Sequence, residues 1–197
     1  MLIFYKERLA LLSAPKTGSS AYQSALRNRA DLVISDPPEL KHASVRRFDR
    51  FFQTMFQKVL HTEMDIMAVV REPTDWLGSW YKYRSRAALD NHPNSTAAID
   101  FETFVQSYLR PQRPAYADVG TQAEFFQTRS NGAGAKFVFK YENQESILRF
   151  LEDRLDCEIG LKPENVSPPR GLELSDETRD RYRQTHGAEF ALHASAT

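Results

Sequence analysis

Apolar and polar positions fall in blocks that read alternately as strand and helix. Leu9-Ala10-Leu11-Leu12 is a short apolar run and predicts a first strand, followed after a small-residue loop by a helical run, Ala21 to Leu26. Leu32-Val33-Ile34-Ser35 predicts a second strand, closed by the turn residues Asp36-Pro37-Pro38. From Ser44 onward Val45, Phe48, Phe52, Met55, Phe56 and Val59 recur at helical spacing and define one apolar stripe. Ile66-Met67-Ala68-Val69-Val70 is continuously apolar, as strands buried on both faces of a parallel sheet are. Arg71-Glu72-Pro73 ends it, and Pro73 suits the first position of a helix that carries Trp76, Leu77, Trp80 and Tyr81 and reaches Arg86.

The second half is more broken. Asp90 to Ala98 reads as a loop, Phe101 to Leu109 as a short helix, and Arg110 to Gly120, with Pro111 and Pro114, as an irregular excursion. A polar turn from Ser130 to Gly134 precedes a strand, Lys136 to Lys140, and then a helix, Gln144 to Leu155. A proline-rich segment, Pro163 to Pro169, follows, and Ser175-Asp176-Glu177 caps a final helix. Strands alternating with helices predict an α/β fold with a central, mainly parallel sheet flanked by helices. The expectation is one domain over residues 1–197, with an insertion at 90–134.

Composition removes several function classes. Hydrophobic residues make up 41% and charged residues 26%, ordinary for a globular chain. Lys plus Arg (26) equals Asp plus Glu (26), so any basic site is local, which argues against a general nucleic-acid binder. No segment approaches the ~18 apolar residues that span a bilayer. Cys157 is the one cysteine, so no intrachain disulfide forms; a reducing, cytoplasmic setting and a buried, inert thiol are the expectations. Arg46, Arg47 and Arg50 lie off the apolar stripe and read as a solvated face, with a docking surface for an acidic acceptor as the other reading.

Candidate chemistry begins after the first strand. Pro15-Lys16-Thr17-Gly18-Ser19-Ser20 leads from a strand into a helix, and a helix N-terminus offers unpaired N–H groups and a positive dipole end to an anion. Lys16 adds a point charge, and Thr17, Ser19 and Ser20 add hydroxyl donors. An ordinary loop in which Ser19 caps the helix has the same pattern. The nucleotide-binding loop Gly-x-x-x-x-Gly-Lys-Ser/Thr is absent, because the lysine stands before Gly18. Arg71 closes the most apolar strand, where α/β proteins bind ligands. Ser79 lies on the following helix, within about 9 Å of its start at 1.5 Å rise per residue, so both side chains can reach one phosphate. An arginine salt-bridged at a strand end beside a packed serine is the plainer account.

Lys16-Thr17-Gly18-Ser19-Ser20 followed by Arg71-Glu72-Pro73 through Ser79-Trp80-Tyr81 resembles the sulfotransferase family that uses 3′-phosphoadenosine-5′-phosphosulfate (PAPS). The resemblance is specific over about Leu9–Ser24 and Met67–Arg84. It implies a P-loop-like three-layer fold and transfer of a sulfuryl group from PAPS to a hydroxyl, less often an amine, with adenosine 3′,5′-bisphosphate (PAP) as product and no metal. The first element would hold the 5′-phosphosulfate, with Lys16 neutralising the leaving group. Arg71 and Ser79 would hold the 3′-phosphate. Lys140-Tyr141-Glu142 looks like the family's Tyr-Glu-Asp stretch, with Asn143 in place of Asp. Asn165-Val166-Ser167 and Arg170-Gly171 resemble its C-terminal cofactor-closing loop, which makes Arg170 a further 3′-phosphate ligand.

Transfer needs a base. His42, in Leu40-Lys41-His42-Ala43-Ser44, looks like the histidine of the cytosolic sulfotransferases' Lys-Thr-His stretch, and imidazole titrates near working pH. Glu39 is the nearby alternative; His61, His92, His186 and His193 have no such context. The acceptor is expected to be a small molecule or glycan, and Tyr108, Tyr116, Phe125 and Phe126 either stack against it or pack internally. Two other functions compete: a P-loop-type small-molecule kinase, and a non-catalytic module that binds an adenosine phosphate or another anion. Against the kinase stands Arg71 where a magnesium-holding Asp would end the strand.

Overall fold

Ile66 and Ala68 of strand β4 (Asp65–Val70) belong to one core cluster, Met67 and Val69 to another, so both faces of this strand are buried. That two-sided burial accounts for the uninterrupted apolar run. The computed structural model describes residues 1–130, 132–162 and 169–197. Its five strands, β1 (Leu2–Phe4), β2 (Leu9–Leu11), β3 (Leu32–Val33), β4 and β5 (Phe137–Lys140), form one sheet in the order β3-β1-β2-β4-β5. β2, β4 and β5 pair in parallel, whereas β1 is antiparallel to both β2 and β3. The sheet is therefore mixed, parallel only through β2-β4-β5, where a mainly parallel one was expected. Three apolar residues gave β1 little sequence signal; it is the first arm of a hairpin, turned by Arg8 at φ 51° and an Arg8 N–H donating to the Tyr5 carbonyl.

Helices cover both faces. α1 (Ser19–Leu26) and α8 (Gln144–Leu155) bury Tyr22, Leu26, Ile147, Leu151 and Leu155 against Leu9, Leu11, Met67 and Phe139. On the other face, Val45, Phe48 and Phe56 pack on Ile3, Ala10, Ile66 and Ala68. A short helix, α2 (Pro38–Lys41), leads to this layer. A third cluster outside the sheet joins α5 (Pro73–Arg84), α6 (Phe101–Tyr108) and α9 (Asp176–Thr185) through Trp76, Tyr81, Phe104, Tyr108 and Tyr182. Two short elements complete the chain: α7 (Gln122–Phe126) in the 90–134 segment, and α10 (Gly187–Ser195), which follows α9 where one final helix was expected. Cys157 is half-buried and free, not fully buried as expected.

The helix after Ser44 departs from its sequence pattern in an instructive way. α3 (Val45–Phe48) runs through a π-helical stretch (Asp49–Gln53) into α4 (Thr54–Leu60). A π turn inserts a residue and rotates everything beyond it. Met55 and Val59, expected in the core stripe, are thereby turned out to 42% and 67% exposure, while Asp49 and Gln53 are turned in. The buried amide of Gln53 donates to the Met64 carbonyl (3.3 Å) and accepts from the Met64 N–H (3.2 Å). Asp49 accepts from Arg129 and from the Ala133 N–H. Phe56→Ala is expected to cost about 3–5 kcal/mol, and Met55→Ala less than about 0.5 kcal/mol; urea unfolding of the two variants measures both. Equal losses would restore the uninterrupted stripe. Among the described residues no helix is long and apolar enough to cross a membrane.

Candidate functional site

Because β2 and β4 are parallel neighbours, their carboxyl ends lie side by side. This brings the loop after β2 next to Arg71, which follows β4 directly. The loop is tightly wound: Lys16 has φ 65° and Gly18 φ 71°. A left-handed conformation costs a lysine roughly 1–2 kcal/mol, and such residues concentrate where a loop must present its groups to something. At Gly18 a Cβ would also sit tightly against the Tyr141 ring, at 3.1 Å. Thr17 is buried and its hydroxyl donates to the Ala14 carbonyl (2.9 Å), so it closes the turn and has only its N–H left for a ligand. Ser19 does not cap α1: the N-cap is Gly18, without a side-chain cap, and no acidic residue stands in the first turn. The N–H groups at Ser19 and Ser20 open the helix and have no intrahelical acceptor.

α5 holds the loop from the other side. The Trp76 indole donates to the Pro15 carbonyl (2.9 Å). One turn on, Trp80 and Tyr83 receive the Lys16 ammonium, 5.6 Å and 4.2 Å from their ring centres. Burial, then Arg86, then Arg71, push the Lys16 pKa down to about 8. The Arg86 guanidinium lies 4.5 Å from the same Tyr83 ring. Cations drawn this close, each making the other harder to keep charged, make a site that gains by taking an anion.

Arg71 is the joint between the two elements. Its Nη1 donates to the Lys16 carbonyl (3.1 Å), its Nε to Asp75 (2.6 Å), and its guanidinium stacks 4.3 Å over Tyr141. Its peptide N–H and carbonyl are both taken by the Gln122 side chain, each at 2.8 Å. Pro73 opens α5 as expected, with Glu72 as N-cap accepting from the Asp75 N–H. Ser79 is half-buried, one helical turn beyond Asp75 and so on the same flank. Glu142 accepts from the Glu72 N–H (2.7 Å), so Tyr141-Glu142 buttress both the arginine and the helix start.

His42 follows α2 with its ring against the loop. Its Nδ1 lies 2.7 Å from the Ser13 carbonyl, an acceptor only, so Nδ1 carries the proton and Nε2 keeps its lone pair. Burial, aided by Lys41, lowers the pKa below its usual value even though the Ser13 contact raises it. The imidazole is neutral at pH 7. A cavity of about 300 Å³ opens at this ring, lined also by Pro15, Arg47, Trp76, Gln122, Phe125 and Phe126.

Other expected residues are placed elsewhere. Arg170 donates to the Thr96 and Ile99 carbonyls (3.0 and 3.1 Å) and lies over Tyr81, so it is not brought to Lys16 and Arg71. Asn165-Val166-Ser167 lie outside the described residues. Tyr108 is core, and the Tyr116 hydroxyl is paired with Ser107, whereas Phe125 and Phe126 do line the cavity. Sequence reasoning missed Tyr83, Arg86 and Gln122. Tyr83 and Arg86 continue the Trp76–Trp80 flank at three- and four-residue steps, which is the signal that could have found them; Gln122 offers none. Among the described residues no cluster of His, Cys, Asp or Glu could hold a metal ion. No family model, curated protein or solved structure matches this chain.

Proposed function

We propose that this chain is a PAPS-dependent sulfotransferase of P-loop-like three-layer architecture, acting on a hydroxyl of a small molecule or glycan. The observation that carries the reading is the Arg71-to-Lys16 hydrogen bond. Two motifs far apart in sequence meet in one cationic site, and a neutral histidine faces a cavity beside it.

The residues divide the work. His42 Nε2 takes the proton of the acceptor hydroxyl as its oxygen bonds to sulfur. The bond from sulfur to the bridging phosphate oxygen breaks, and Lys16, with the N–H groups at Gly18, Ser19 and Ser20, balances the charge left on that oxygen. Thr17 contributes its N–H alone. Arg71 and Ser79 bind the 3′-phosphate, Arg71 through its Nη2 edge, its Nε and Nη1 being engaged with Asp75 and the Lys16 carbonyl. Trp76, Phe125 and Phe126 give the acceptor an apolar wall, and Arg47 a polar edge. Arg170 is not among the 3′-phosphate ligands in this arrangement.

Calorimetric titration with PAP, without magnesium, tests the assignment. Micromolar binding is expected; binding of ATP with magnesium and not of PAP would move the chain to the kinase class. The binding should also depend on pH in one direction. A bound phosphate favours the charged ammonium, so PAP raises the Lys16 pKa from its free value of about 8. Affinity then falls as pH rises through 8 towards 9.5, by up to about tenfold per unit, with proton uptake on binding that approaches one per site above about pH 9. Titrations in two buffers of different ionisation enthalpy count that proton. An affinity flat from pH 7.5 to 9.5 excludes Lys16 from the anion site.

A further inference from the structure

Gln122 lies in the wall of the acceptor cavity, yet its side chain is spent on the opposite element. Its Oε1 accepts from the Arg71 N–H and its Nε2 donates to the Arg71 carbonyl, both at 2.8 Å, and the residue is 3% exposed. A carboxamide carries a donor and an acceptor side by side, so it can satisfy the N–H and C=O of one residue together, and the orientation of Oε1 and Nε2 is fixed by that pairing. The same clamp recurs within this fold where Gln53 holds Met64, there as a purely architectural contact.

What stands behind Gln122 distinguishes it. Glu189, 1% exposed, lies close enough for Gln122 to hold its pKa down, and its Oε2 is buried without a hydrogen-bond partner among the described residues. The Tyr108 hydroxyl lies 3.4 Å from Glu189 Oε1 and 3.1 Å from the Gly120 carbonyl, so it ties the same carboxyl group to the start of the wall. Burying a carboxyl group this completely is costly, and here burial pushes its pKa up to about 7 against the pull of Gln122, Tyr108 and Arg113. The two hydrogen bonds from Gln122 to Arg71 are a direct link between the cavity wall and the cation site, with Glu189 beside it.

We infer that Gln122, backed by Glu189, is a positioning residue that couples the two halves of the site, holding the Arg71 peptide in register with the 119–126 wall. The inference rests on reading Lys16 and Arg71 as the anion site. Displacing the wall shifts Arg71, so acceptor contacts and anion contacts are set together.

Gln122→Met keeps the length and apolar bulk of the side chain but cannot clamp, and Gln122→Glu keeps the shape but cannot donate to the Arg71 carbonyl. Phe150→Leu, at a ring packed on Phe137 and Phe139 outside the cavity, supplies a control with lowered thermal stability. Two readouts are taken on the full chain: PAP affinity well below the melting temperature, and hydrogen exchange at the Arg71 amide. Both Gln122 variants are expected to weaken PAP about tenfold, and Gln122→Met to speed Arg71 exchange about tenfold; Phe150→Leu should do neither. Wild-type affinity in Gln122→Met, or an equal loss in Phe150→Leu, overturns the inference. A wild-type protein that binds no PAP sinks the sulfotransferase reading separately; exchange at Arg71 then decides alone, and unchanged protection in Gln122→Met overturns the coupling.

Discussion

His42→Ala is expected to lower turnover by roughly 10²–10⁴-fold while changing PAP affinity less than about twofold. The asymmetry follows from geometry. The imidazole lines the cavity, and the hydrogen bond that ties it to the loop runs from Nδ1 to the Ser13 carbonyl, so on the proposed reading its removal takes a proton acceptor from the reaction and no donor from the phosphates. Turnover is read as PAP released from PAPS with a hydroxyl acceptor drawn from sugars and phenols. Loss of affinity in step with loss of rate would make His42 a structural support of the loop.

The pH dependence gives that prediction a second arm. The folded pKa of His42 lies below the usual histidine value, so the neutral base is present above it and is lost as pH falls through it. kcat/KM, which reports the free protein, should therefore rise on an acid limb lying below pH 6.5 and fall again on an alkaline limb near 8, where Lys16 gives up its charge. His42→Ala removes the acid limb and leaves the alkaline one. An acid limb that persists belongs to another group, and Glu39 is the first to test.

The readable parts of this chain were those whose structure is local. Lys16 to Ser20 and Arg71 to Ser79 each sit within one strand–turn–helix unit, where spacing alone fixes what can face a ligand. Loop and helix starts were accordingly where the sequence placed them: α5 opens at Pro73 and α8 at Gln144. What escaped depends on partners far along the chain. β1 is three residues long and exists through pairing with β2 and β3. The π stretch at Asp49–Gln53 is supported by Met64 and by Arg129, neither visible from the helix's own periodicity. Gln122 reads as one more polar residue until Arg71 is placed beside it, and the Thr96 and Ile99 carbonyls that hold Arg170 are not announced by its own stretch of sequence. Periodicity reports which face is buried only while the helix keeps one pitch, so Met55 and Val59 were assigned to the wrong side.

Arg71→Ala should weaken PAP by about 10- to 150-fold, the equivalent of a charge-assisted contact worth ~1.5–3 kcal/mol. Part of the loss is direct, from the 3′-phosphate. Part is transmitted, because the guanidinium also ties down the Lys16 carbonyl, pairs with Asp75 and stacks on Tyr141. Without it Asp75 remains as an unpaired carboxylate facing the anion. Arg71→Lys keeps the charge but loses the fork that reaches Lys16 and Asp75 together, and should recover only a fraction of the affinity. The two variants also differ at Lys16. Arg71 is one of the groups that hold the Lys16 ammonium down, so Arg71→Ala lets that pKa rise and moves the alkaline limb of PAP binding to higher pH, whereas Arg71→Lys leaves it near 8. Affinity measured from pH 7 to 10 in both variants resolves the two effects. A weakened Arg71→Ala with its alkaline limb unmoved would mean that Arg71 binds phosphate without sensing Lys16; unchanged affinity would remove Arg71 from the site and the sulfotransferase reading with it.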